Sequence, residues 1–169
     1  MKKSSIEIIL VVGTLILSSL ACTMGGLSFN GDKATVGITL SETELNEMIA
    51  TSTANRVRDD DEMLKSVSRV EFDDGFVRVY GTMENSSGEE VKGNLDLAFR
   101  ASEDVLMVEI TAVDFPGVSM DDPRVVKANR EMAKSLTDSV TRSNGDVKFL
   151  EADVSEDGLS LKLEVQTGK

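Results

Sequence analysis

Cys22 is the side chain with the most distinctive chemistry, because it is the only thiol in 169 residues. It follows Leu20-Ala21, just beyond an apolar stretch from Ile8 to Leu17 that itself follows a basic start, Met1-Lys2-Lys3. A basic segment, an apolar segment and then small residues is the order of a secretory signal. The apolar run is short for a membrane span, which needs roughly 20 apolar residues, and Glu7 shortens it further. A thiol in that place, with no second thiol to pair with, suits an anchoring role better than a redox or catalytic one. Without Cys22 the exported part has no cysteine, so it stands on its core with no disulfide.

Leu20-Ala21-Cys22 resembles the lipobox of bacterial lipoproteins. The resemblance implies acylation of the Cys22 thiol, cleavage before it and a protein tethered to a membrane on its extracytoplasmic side. The chain departs from the family pattern at Ser19, where Leu is preferred. Two other routes stay open: Ser19-x-Ala21 fits an ordinary signal-peptidase site, which releases the domain with a free thiol, and the segment can remain uncut as a short anchor. All three export residues 23–169. Two acyl chains hold a protein stably on a bilayer, at about 0.8 kcal/mol per buried CH₂.

The remaining chemistry is defined largely by what is missing. There is no His and no Trp, and aromatic residues make up 4%. The commonest general base and transition-metal ligand are therefore absent, as is the usual platform for stacking sugars or single-stranded nucleic acid. The net charge is −12; removing Lys2, Lys3 and Glu7 (net +1) leaves −13 on the exported part. That surface argues against nucleic acid and against a polybasic grip on anionic lipid. No Gly-x-Ser-x-Gly elbow, Ser-x-x-Lys pair or phosphate-cradling Gly loop occurs, and nothing marks a catalytic pair among the 30 acids. The reading is a non-enzyme with no cofactor and no metal. Neither Asp59-Asp60-Asp61-Glu62 nor Asp121-Asp122 has the spaced oxygens and Gly turn of a calcium loop.

The elements that must carry any function follow from periodicity. The expected organisation is a signal peptide at 1–21, a lipidated Cys22 with a flexible spacer to 32, one α+β domain at 33–166, and a tail at 167–169. Ala34–Leu40 alternates as a strand. Ser41-x-x-Glu44 is a capping box opening a helix with Leu45, Met48 and Ile49 on one face. Strands follow at 67–72, 76–83, 94–100 and 105–113, the first two joined at Asp73-Asp74-Gly75. Asp122-Pro123 starts a long helix with Val125, Met132, Leu136 and Val140 in its stripe, stopped at Asn144-Gly145. A hairpin of 147–154 and 159–165 closes the chain. The order is β-α-β-β-β-β-α-β-β, with helices on one side of an antiparallel sheet. Sliding the second half of the chain onto the first lays Asp157-Gly158 on Asp74-Gly75 and brings the second helix start close to Ser41, an internal echo with poor residue matches.

The opening Leu40-Ser-Glu-Thr-Glu-Leu-Asn-Glu-Met-Ile49, with its capped helix and Leu45-Asn46 pair, resembles bacterial envelope families similar to the tubular lipid-binding (TULIP) fold of bactericidal permeability-increasing protein. The resemblance covers residues 33–166. It implies a curved sheet wrapped around a long helix, and lipid or another apolar ligand held between them. Leu45, Ile49, Phe115, Met132 and Leu136 are the residues that would contact it. The chain is small for such a unit, so the space can equally be filled by side chains.

Two readings stand side by side: a lipid-anchored carrier of an apolar ligand, and a non-catalytic envelope scaffold with a solid core and an unidentified protein partner. The apolar loop Phe115–Met120 divides them, since it can form a lip toward a membrane or ligand or tuck beneath the sheet.

Overall fold

The computed structural model describes residues 24–53, 63–142 and 147–166; for 24–25, 48–53 and 133–142 it describes the backbone path alone. Ten elements follow one another: β1 (Met24–Asn30), β2 (Lys33–Leu40), α1 (Glu42–Thr53), β3 (Ser66–Asp73), β4 (Phe76–Glu84), β5 (Glu90–Ser102), β6 (Val105–Asp114), α2 (Pro123–Arg142), β7 (Val147–Ser155) and β8 (Gly158–Gln166). The class is α+β and mostly antiparallel sheet. From β2 onward the element order is the one expected.

Two features differ from the expectation. The supposed spacer at 22–32 contains a strand, so the order begins β-β-α. Leu27 and Phe29 alternate with Ser28, and Gly31-Asp32 makes a two-residue turn that pairs β1 with β2, Leu27 opposite Val36 and Phe29 opposite Ala34. The second difference is that the strands form two four-stranded sheets rather than one. Sheet A has the order β1-β2-β8-β7 and sheet B is the meander β3-β4-β5-β6.

The sheets join where β7 passes the end of sheet B that carries the β3–β4 and β5–β6 turns. The Phe149 amide donates to the Asp104 carbonyl (2.9 Å), and the Gly75 amide donates to the Val154 carbonyl (3.0 Å). Lys148 pairs with Asp104 at the same corner. Glu103 and Asp104 both have positive φ, 52° and 66°, the left-handed pair whose twist matches a tight hairpin.

Alternation builds the core. Along β4, Val77, Val79 and Met83 are buried while Arg78, Tyr80 and Thr82 face outward. Ile38, Leu40, Leu161 and Leu163 of sheet A, Val70, Leu95 and Ile110 of sheet B, and Leu45 and Val125 of the helices lie in the same hydrophobic cluster. Each fully buried aliphatic side chain contributes about 1.5–3 kcal/mol. The outward face of sheet B carries a charged row in register, Glu71 opposite Arg78 and Arg78 opposite Asp96. Arg78 grips the Asp96 carboxylate with two bonds, 2.8 and 3.0 Å, which holds the guanidinium more firmly protonated than usual.

Both helix starts follow from their first residues. The Ser41 amide donates to Glu44 Oε2 (2.9 Å), and the Glu44 amide donates back to Ser41 Oγ (3.3 Å), a closed capping box. The Ser41 amide, together with the Ser41 hydroxyl that donates to the same oxygen (2.8 Å), holds the Glu44 carboxyl below its usual range. In α2 the Asp122 carboxylate accepts from the Arg124 amide (2.9 Å), and Pro123 occupies the first position, where an N–H is not needed. The Arg124 guanidinium closes on Asp122 and donates to the Glu84 carbonyl, tying the start of α2 to the end of β4. That pairing lowers the Asp122 pKa, chiefly through the Arg124 side chain.

Each helix also seals one edge of sheet B. Asn46 of α1 accepts from the Val70 amide (2.7 Å) and donates to the Val70 carbonyl (2.9 Å) on β3. Asn129 of α2 accepts from the Ile110 amide (2.7 Å) and donates to the Ile110 carbonyl (3.3 Å) on β6. A side-chain amide offers one acceptor and a donor group, as a neighbouring strand's peptides would.

Candidate functional site

The residues expected to contact an apolar ligand divide into those whose side chains are described and those whose side chains are not. Leu45, Phe115 and Met132 are 7%, 3% and 2% exposed and belong to the one hydrophobic cluster. Ile49 and Leu136 lie on α1 and α2, with side chains outside the described residues, and Cys22 precedes them altogether. The acidic run 59–62 and the Asn144-Gly145 helix stop also fall outside.

The Phe115 loop tucks inward. Pro116-Gly117 makes a tight turn, with the Val118 amide donating to the Phe115 carbonyl (3.0 Å) and Gly117 at φ 77°, as a turn with Pro then Gly requires. Phe115 lies against Gly93 of β5. A Cβ at Gly93 would collide with the Asp114 carbonyl and sit 2.7 Å from the Phe115 ring, so Gly is what lets the ring close over the strand. Met120, further along the loop, stays exposed.

The outward face of sheet A holds an open groove of about 400 Å³ lined by Gly26, Ser28, Thr35, Gly37, Thr39 and Ser160, among others. Some of its polar groups pair with one another: Lys162 with Glu151 (2.9 Å), and the Thr39 and Ser160 hydroxyls at 3.4 Å. Among the described residues no group of three or more His, Cys, Asp or Glu could hold a metal ion, and no helix is long and apolar enough to cross a membrane.

The surface with the clearest capacity for contact is β1. It forms the outer strand of sheet A, hydrogen-bonded to β2 on one side, and no described strand pairs with its other side. Its inward positions share the face of Ala34 and Val36, yet Leu27 is 48% and Phe29 68% exposed. The strand carries no charged residue from Met24 to Asn30, so it lacks the Lys or Pro that commonly blunts an exposed edge. Sequence reading misses this site. The signal is present as Leu27-Ser-Phe29 before Asn30-Gly31, a hairpin cue that reads as linker beside Gly25-Gly26.

Comparison of the chain with protein-family models, with curated proteins and with solved structures returns no match.

Proposed function

We propose that this protein is a membrane-tethered, non-catalytic domain of the bacterial envelope, with a solid core and a working surface on its outside. The observation that carries the reading is the packing of Leu45, Phe115 and Met132 inside one hydrophobic cluster with residues of both sheets. Side chains that would have to line a ligand space are instead buried among the other members of that cluster. The tether is the Cys22 acyl group implied by the lipobox resemblance, and the acidic domain then faces away from the cytoplasm.

The carrier reading, with a TULIP-like sheet wrapped around α2, is favoured by the apolar stripe on that helix, where Val125 is fully buried and Met132 nearly so. Replacing Met132 with Asp separates the two. In a solid core, Met132→Asp buries an unpaired charge and abolishes folding, a loss above about 4 kcal/mol. Val126→Asp, at an exposed site on the same helix, leaves the melting transition close to that of the parent. A Met132→Asp chain that folds and no longer takes up fatty acid would instead establish a ligand space beside α2.

A further inference from the structure

We infer that β1 lies against the lipid surface, with Leu27 and Phe29 inserted at the boundary between headgroups and acyl chains. This rests on the tethered reading of Cys22. It names the surface that the tether presses onto the bilayer.

A lipid anchor ordinarily leaves a domain free to roam only when a slack segment joins the two. Here one residue, Thr23, separates Cys22 from the first residue of β1. The chain from Cys22 to Phe29 reaches at most about 25 Å even when fully extended. An acyl group on Cys22 therefore holds β1 at the bilayer surface. An uncut apolar segment ending at the same place would do so too.

Composition then selects the contact. The exported chain is strongly acidic, so anionic headgroups repel it and the attraction has to come from apolar burial. From Thr23 through Gly31 there is no charged residue, which makes this the stretch that approaches lipid at least electrostatic cost. Within it, Leu27 and Phe29 point to one face and are exposed. Buried about 5–10 Å into the interface, such side chains add to acyl anchoring. No described element other than β2 pairs with the strand that carries them.

The protein contains no Trp, so a Phe29→Trp substitution introduces a unique indole. The full chain carrying Phe29→Trp is produced in a bacterial host, extracted from membranes and reconstituted into phosphatidylcholine vesicles with or without bromine on the acyl chains. An intact mass reports whether Cys22 is acylated. Leu27→Trp serves as a second reporter, and Met107→Trp, exposed on the outward face of sheet B, as the distant control.

The expected result is that emission from Phe29→Trp and Leu27→Trp falls by about half or more in brominated vesicles, at low and high salt alike, as apolar insertion requires, while the Met107→Trp control is unchanged. An anchored protein whose Phe29→Trp indole is unquenched overturns the docking and leaves the tether intact. An unquenched indole that is blue-shifted, together with crosslinked dimers, assigns β1 to strand pairing with a second copy and overturns it likewise. A protein that lacks the acyl mass and does not float with vesicles overturns the tether, and the docking with it.

Discussion

Asn46 and Asn129, one on each helix, make the same contact on opposite edges of sheet B. Each side-chain amide forms a two-bond bridge to one backbone position, Val70 on β3 or Ile110 on β6. A meander of four strands has two open edges, and open edges recruit other strands. The two helices close both, which leaves β1 of sheet A as the outer strand with neither a cap nor a charge among the described residues.

Asn46→Leu and Asn129→Leu should each remove a pair of bonds and strand a partly buried amide. The expected loss is about 1–2 kcal/mol apiece, nearly additive because the two sites do not touch. Urea unfolding measures the loss. Light scattering should show more self-association in the double variant than in either single one, and a monomer as clean as the parent would mean that the helices themselves, rather than the amides, guard the edges.

Acid should weaken the start of α1. The folded state holds Glu44 below its ordinary value of 4.5, chiefly through the Ser41 amide. A depressed carboxyl contributes stability that is present above the unfolded pKa and lost as pH falls through the folded one. Glu44→Gln keeps the capping bonds and loses the charge, so it should cost roughly a few tenths of a kcal/mol near neutrality, and the difference from the parent should shrink below pH 4.5. Denaturant midpoints between neutral and acid pH read this directly. Asp122, lowered by Arg124, adds to the same acid sensitivity at α2.

Much of this architecture is legible in the sequence. The alternation of Leu159, Leu161 and Leu163 and the boxes at Ser41 and Asp122 are local signals, and the elements they mark form where expected. What is not legible depends on distant partners. Phe115 is buried because Gly93, back on β5, has no Cβ to keep it out. The division into two sheets depends on β8 pairing with β2 across most of the chain, which no short window contains. The internal echo that superposes the two Asp-Gly pairs also lays Asn129 on Asn46, but Asn46 binds the strand after its helix and Asn129 the strand before. The closing hairpin turns at Glu156-Asp157, with Ser155 opposite Gly158, and not at Asp157-Gly158. β1 is hidden by its position behind a stretch that reads as an export signal, where Gly25-Gly26 reads as slack.

A solid core in place of a ligand cavity is the central claim, and native mass spectrometry of residues 23–169, purified from a bacterial host without detergent, tests it most directly. The mass of the polypeptide alone, with no uptake of a fluorescent fatty acid, is the result expected of a domain that works through its surface. An added mass matching a lipid, lost on organic extraction, would contradict it and make the protein a carrier.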